Sequence, residues 1–203
     1  MITLRNTLNA AVAAILVSSL GLSACEKAAS GGPLPTASDG SDAGASSSTV
    51  PALPALGGPM FSPDLVDRVG GLDLFAIAEA KLAFSRSQND SVKSFATASM
   101  NAHTNSIAAL NAAITASNQT ISMPDAMPND LASKLADLQG VDDGKFDKAY
   151  LADQISGLQA VNNALKTYAK HGDVAQFKAY SEKSISGVES TLTSAQTLQA
   201  SLK

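Results

Sequence analysis

Four long stretches of this chain repeat apolar residues at every third or fourth position, and this periodicity limits what the chain can fold into. In the stretch 91–117 the repeat runs from Val92 and Phe95 to Leu110 and Ile114. A period near 3.6 residues places such positions on one face of an α-helix. No window alternates apolar and polar residues with the β-branched enrichment typical of strands. The sequence therefore predicts an all-α fold.

Residues typical of helix ends set the bounds of the predicted helices. Ser62-Pro63-Asp64 predicts a first helix that has Ser62 as its capping hydroxyl and runs to about Gln88. The predicted inner face of this helix consists of Phe75, Ala78, Leu82 and Ser85. Asn89-Asp90 marks the start of the second helix, and a short helix follows over 131–138. Asp142-Asp143-Gly144 opens a long helix to about Lys170, and Asp173 is predicted to cap the last helix, 174–201.

The connections between these helices predict the topology. Tight turns near 88–90 and 171–173 make two antiparallel hairpins, and the much longer link 118–141 separates them. This link is long enough to cross the height of the bundle, because a helix rises only about 1.5 Å per residue. Two hairpins joined by one long crossover form a ferritin-like four-helix bundle. A simple up-down bundle with an oversized loop remains the alternative.

The N-terminal segment 1–24 has the organisation of an export signal. Arg5 supplies its positive charge, and an apolar stretch runs from Leu8 to Leu20. The end of the segment, Leu22-Ser23-Ala24-Cys25, resembles the lipobox of bacterial lipoproteins, which implies lipidation at Cys25. An ordinary signal peptide cleaved nearby is the alternative. Glu26 follows Cys25 where the resemblance implies that Asp would favour inner-membrane retention, so we expect an outer-membrane anchor that faces the periplasm.

A linker separates the predicted anchor from the helices. Residues 26–59 are rich in Gly, Pro and Ser and poor in large apolar residues. Such a segment buries too little surface to offset the entropy lost on ordering, so a disordered tether is predicted. The predicted organisation is a signal peptide over 1–24, a lipidated cysteine with its tether over 25–59, and a helical domain over 60–203.

Composition excludes several classes of function. The net charge is −4 and no long basic run occurs, so we expect no nucleic-acid partner. The single cysteine excludes an internal disulfide and a thiolate-rich metal site. Two histidines leave few catalytic schemes, and no nucleophile has a credible base beside it. We therefore expect that the protein binds no cofactor and that it is not an enzyme.

Three runs of residues resemble a bacterial family called domain of unknown function 4142. They are 78–83 (AEAKLA), 92–96 (VKSFA) with His103-Thr104 after it, and 146–151 (FDKAYL). The resemblance implies an exported, ferritin-like helical protein with no settled activity. The family pattern usually has an Asp before the first His, and further His residues in the third and last long helices. Here those positions hold Ala102, Leu158 and Thr191, so a metal site based on them would have lost most of its ligands.

Counting from the hairpin turns places four polar residues at one level of the bundle: Glu79, His103, Gln154 and Thr191. A di-iron site needs Glu-x-x-His motifs, whereas Met100 stands three residues before His103. Glu79 and His103 are the remaining metal candidates. His103 lies on the apolar stripe of its helix, so we expect a buried imidazole hydrogen-bonded to Gln154 or Tyr150. We predict that His103→Leu folds normally, whereas His103→Asp is clearly destabilised.

The resulting interpretation is a non-enzymatic lipoprotein of the bacterial envelope. The membrane is contacted through lipidated Cys25, and the helical domain binds an envelope protein or has a structural role. The alternative is a metal-binding or stress-related ferritin-like protein that uses Glu79 and His103.

Overall fold

The computed structural model describes residues 60–202, and within them the chain forms five helices and no strand. The helices are α1 (Ser62–Arg86), α2 (Asp90–Ser117), α3 (Asn129–Gln139), α4 (Asp143–His171) and α5 (Ala175–Ser201). The predicted all-α fold is confirmed for this part of the chain. The predictions for 1–24, for Cys25 and for the tether lie outside the described residues. No helix of the described part has the length and hydropathy needed to cross a membrane.

The predicted start of α2 is confirmed, whereas two other predicted caps are wrong. The Asn89 side chain accepts hydrogen bonds from the backbone N–H groups of Ser91 and Val92. Phe61, and not Ser62, stands at the N-cap of α1. The N-cap of α5 is Val174 and not Asp173.

Ser62 and Asp173, the two residues that do not cap their helices, are hydrogen-bonded to each other. Ser62 Oγ donates to Asp173 Oδ1 at 2.7 Å, and the Tyr168 hydroxyl donates to the same oxygen at 2.5 Å. This cluster joins the start of α1 to the turn between α4 and α5. Short polar side chains near a helix end can bond locally or to a distant partner. In this fold the side chains of Ser62 and Asp173 bond to each other instead of capping their own helices.

The four long helices contact one another in a closed cycle: α1, α2, α5, α4 and back to α1. The most extensive contacts are those of α1 with α2 and of α4 with α5, and short connections at 87–89 and 172–174 join these pairs. α3 lies in the long connection 118–142 and packs mainly on α1. α1 and α4 therefore each contact three other helices, whereas α2 and α5 contact mainly two.

The predicted inner face of α1 is largely wrong. Only Phe75 of that face is buried, Ala78 and Leu82 are half-buried, and Ser85 is exposed. The residues buried at a spacing of three and four are Val66, Val69, Asp73, Ala76, Ala80 and Ala83. Small side chains allow neighbouring helices to approach closely. Phe75 and Leu82 are larger but lie off the centre of this face.

The apolar core consists of two clusters with polar residues between them. One cluster includes Val69, Leu110 and Tyr168, and the other includes Ala80 and Phe95. Four buried polar residues lie between the two clusters along α1 and α2: Asp73, Glu79, Ser99 and His103. The helices therefore place a polar band at mid-height of the core.

The connection after α2 crosses α1 at Gly70 and Gly71. A Cβ atom at Gly70 would lie 2.8 Å from Pro124 Cδ, and one at Gly71 would lie 2.7 Å from Pro128 Cδ. Met123, beside this crossing, is partly buried against the first apolar cluster. The two glycines cost helix propensity, and in return they let the connection lie directly on α1.

We expect Gly70→Ala to lower the free energy of unfolding by about 1–3 kcal/mol, because the added methyl group overlaps the Pro124 ring. Gly187→Ala in α5 is the matched control, since a Cβ there meets no atom within 4 Å. Its higher helix propensity should raise the free energy of unfolding by about 0.5–1 kcal/mol. Urea denaturation measures both variants. Equal stabilisation by the two substitutions would contradict the close crossing.

Arg86 joins the end of α1 to the end of α3. Its guanidinium donates to the carbonyl oxygens of Gln139 and Val141 at 2.9 and 2.7 Å, and to Asp143 Oδ1 at 2.6 Å. The guanidinium carbon also lies 4.4 Å from the centroid of the Phe146 ring. The last carbonyls of a helix lack partners within it. Arg86 provides a hydrogen-bond donor for these carbonyl oxygens at the end of α3 and holds α3 beside α1.

Candidate functional site

Five buried polar side chains form a band across α1, α2 and α4, which we call the polar layer. They are Asp73, Glu79, Ser99, His103 and Gln154. A buried polar group without a partner costs about 1–3 kcal/mol, so the hydrogen bonds within this layer decide what it can do.

His103 is paired with Asp73. His103 Nδ1 lies 2.7 Å from Asp73 Oδ1, and both side chains are buried. Because a carboxylate only accepts, the Nδ1–H group is the donor in this bond. The predicted burial of His103 is confirmed, whereas the predicted partners, Gln154 and Tyr150, are wrong. His103 Nε2 and Asp73 Oδ2 have no hydrogen-bond partner among the described residues.

Glu79 is linked to α2 through Gln154. Gln154 Nε2 donates to Glu79 Oε2 at 2.9 Å, and Ser99 Oγ donates to Gln154 Oε1 at 2.7 Å. The amide of Gln154 therefore uses both of its ends, one toward α1 and the other toward α2. Glu79 Oε1 has no hydrogen-bond partner in the described part of the chain.

Burial raises the pKa of Glu79 from 4.5 to about 8. The hydrogen bond from Gln154 opposes this rise, and the nearby Asp153 carboxylate adds to it. Glu79 is therefore mostly uncharged at neutral pH. Burial, together with the charge that Glu79 would carry if ionised, also raises the pKa of Tyr150.

The structure brings three of the four predicted layer residues together. Glu79, His103 and Gln154 line one small cavity of about 10 Å³, which is close to the smallest that holds a water molecule. Thr191 is not part of this cavity. It donates to the Gly187 carbonyl at 3.0 Å and lines a groove of about 350 Å³ on the other side of His103. Leu158 lies between the two spaces and lines both.

The polar layer does not fit a di-iron centre. A metal-binding histidine almost always donates its other ring N–H group to a carboxylate, a backbone carbonyl or water, and His103 has a carboxylate partner of this kind. However, residues 60–202 contain no group of three or more His, Cys, Asp or Glu side chains that could hold an ion. The two metal candidates, Glu79 and His103, lie on the same cavity without the further ligands that such a centre needs.

The prediction from sequence did not include two residues of this layer, Asp73 and Ser99. Asp73 is the more important of the two, because it is the partner of His103. It stands at the 3–4 spacing of the buried face of α1, between Val69 and Ala76. An acidic residue at such a position indicates a buried partner nearby, because an acidic side chain is almost never fully buried unless it is paired. Asp73 lies on the buried face of α1, whereas the predicted inner face was chosen from the larger apolar residues Phe75 and Leu82.

Comparisons with known proteins give one match. Residues 52–198 match the family model described as Domain of unknown function (DUF4142). The matched range includes the three runs, 78–83, 92–96 and 146–151, that carry the resemblance in the sequence. No curated protein and no solved structure matches the chain.

Proposed function

This chain belongs to the family described as Domain of unknown function (DUF4142), and we propose that it is a non-enzymatic, lipid-anchored module of the bacterial envelope. Its acyl chains are attached at Cys25 in the outer membrane, and its helical domain faces the periplasm. There the domain binds a partner, which we take to be an envelope protein.

One observation carries the anchor. The only cysteine of the chain stands directly after Leu22-Ser23-Ala24, where lipoprotein processing requires it, and an apolar stretch precedes it. Each buried CH₂ contributes about 0.8 kcal/mol to membrane binding, so several acyl chains make a lasting anchor. The tether over 26–59 then gives the helical domain freedom to reach partners near the membrane.

The order of helix contacts supports a ferritin-like arrangement of the domain. α1 and α2 form one hairpin and α4 and α5 form the other, while α2 and α4 lie at opposite corners of the cycle. A long crossover between hairpins puts the helices that it joins at opposite corners, whereas a simple up-down bundle makes them neighbours. The connection 118–142 fits the crossover.

The burial of the polar layer favours binding over catalysis. Asp73, Glu79 and His103 are the chemically versatile side chains of the interior, and all three are more than nine-tenths buried. Little of any of the three is exposed, and Asp73 and His103 reach the surface only where they line the groove of about 350 Å³. The alternative of a metal-binding protein that uses Glu79 and His103 would need ligands that the described residues do not bring together.

Mass spectrometry of protein purified from native membranes tests the anchor. We expect an N-terminal peptide that begins at Cys25 and carries acyl chains. Cys25→Ala should abolish this modification and release the protein from the membrane fraction, whereas Ser30→Ala in the tether should change neither. An unacylated wild-type chain in the soluble fraction would contradict the proposal. Crosslinking in intact cells should then identify the envelope partner.

A further inference from the structure

A groove on the surface of the domain has the size of a small-molecule site. It lies between α1, α3 and α4 and has a volume of about 430 Å³. Ligand sites in proteins are usually clefts of about 300–1,000 Å³ with mainly apolar walls. The apolar wall here includes Leu72 and Phe75 of α1, Leu131 of α3 and Ala160 of α4.

The rim of the groove is acidic. Four aspartates line it (Asp64, Asp67, Asp130 and Asp153), against two basic residues, Arg68 and Lys134. None of these six side chains takes part in an ion pair within 4.0 Å to another described residue. The groove therefore carries an excess of two negative charges, and the nearby Lys134 ammonium, which lowers the pKa of Asp153, forms no ion pair with it.

The inner end of the groove leads to a buried carboxyl group with one unpartnered oxygen. Asp153 lines both the groove and the 10 Å³ cavity of the polar layer, and Leu72, Phe75 and Gly157 are also shared by the two spaces. Glu79 lies on that cavity with 0 % of its surface exposed, and its Oε1 atom has no partner among residues 60–202. Two carboxyl groups thus meet where the apolar wall ends.

We propose that this groove binds a small amphipathic organic cation. The apolar body packs on Leu72, Phe75 and Leu131, and the ammonium group bonds to the Asp153 carboxylate, with Glu79 behind it. Hydrogen bonds between charged partners contribute more than those between neutral ones, so Asp153 selects a cation over a neutral or anionic molecule of equal length. The inference depends on the groove alone and not on the lipid anchor.

Isothermal titration calorimetry of the full chain with three matched compounds tests the charge preference. They are 4-phenylbutylamine as its ammonium ion, 4-phenylbutanol and 4-phenylbutyrate. We expect the ammonium ion to bind at least tenfold more tightly than the alcohol, and the carboxylate to bind most weakly. Equal affinities for the three compounds, or no binding of any of them, would overturn the proposal.

Two substitutions locate the site. Asp153→Asn should weaken binding of the ammonium ion at least tenfold, whereas Asp125→Asn, which removes the same charge outside the groove, should leave it unchanged. Gly157→Leu should abolish binding, because a Cβ there has its nearest neighbour, Leu72 Cδ2, at 4.0 Å and the longer side chain extends into the groove. Unchanged affinity in both groove variants would place the binding elsewhere and contradict the inference.

Discussion

Replacing His103 with leucine should lower the free energy of unfolding by about 1–3 kcal/mol, the cost of leaving a buried hydrogen-bonding group without its partner. The reason is the partner that remains. Asp73 is 1 % exposed, and His103 Nδ1 at 2.7 Å is its only hydrogen-bond partner among the described residues. This expectation differs from the prediction from sequence that the leucine variant folds normally, because the buried Asp73 carboxyl group would lose its partner.

A double-mutant cycle separates this pairing from simple loss of packing. Asp73→Ala alone should also be destabilising, but Asp73→Ala combined with His103→Leu should cost much less than the sum of the two. Urea denaturation of the three variants measures the coupling, which we expect to be about 2 kcal/mol or more. His171→Leu is the matched control, because His171 is exposed at the end of α4. Additive effects at 73 and 103 would show that the pair is not coupled.

Glu79→Gln should make the protein more stable at alkaline pH and remove part of the pH dependence of unfolding. The pKa of Glu79 is about 8 in the folded chain and 4.5 ordinarily. Between these two values the folded state keeps a proton that the unfolded state has lost. Stability contributed by this group is therefore complete below about pH 4.5 and falls as the pH rises to about 8, by at most about 1.4 kcal/mol per pH unit.

Glutamine has the shape of the uncharged carboxyl group and can still accept from Gln154, so the variant should keep the hydrogen bonds of the polar layer. We expect wild type and Glu79→Gln to differ little near pH 4.5 and by a few kcal/mol near pH 8. Denaturation at a series of pH values measures this difference. Glu182→Gln, the same change at an exposed site of α5, should follow the wild type. Parallel curves for wild type and Glu79→Gln would refute a buried, protonated Glu79.

Burial also raises the pKa of Asp153 of α4, which lines the same small cavity as Glu79. Its effect on stability has the same sign as that of Glu79, so Asp153→Asn should remove a further part of the pH dependence. The two carboxyl groups are neighbours, and their separate contributions need not add.

The helices were predictable because their signals are local and repeated. The predicted start of α2 at Asn89-Asp90 and the end of α4 near Lys170 differ from the structure by a single residue at most. A periodicity sustained over 25 to 29 residues, as in α1 and α4, averages out the ambiguity of any single position. The capping residues of α1 and α5 were not predictable from local signals alone. Ser62 and Asp173 have the composition of caps, but a partner more than a hundred residues away in the sequence takes their polar groups.

The candidate site was predictable only in part. His103 and Gln154 stand out in the sequence because each is a polar residue on an otherwise apolar stripe, and both are buried. Which residues they meet depends on how far each helix is rotated about its axis, and one position along a helix turns a side chain by about 100°. The error in the inner face of α1 therefore hid Asp73, and with it the carboxyl partner of His103.

The amino-acid sequence alone determined that this part of the chain is helical, how many helices it forms and approximately where they end, because these properties follow from neighbours along the chain. The tertiary structure decided the pairing of His103 with Asp73, the raised pKa of Glu79 and the acidic groove beside α3. Each of these depends on which groups from distant segments lie together. For the buried pair and for Glu79, the exclusion of water also sets the strength of the charge or hydrogen bond.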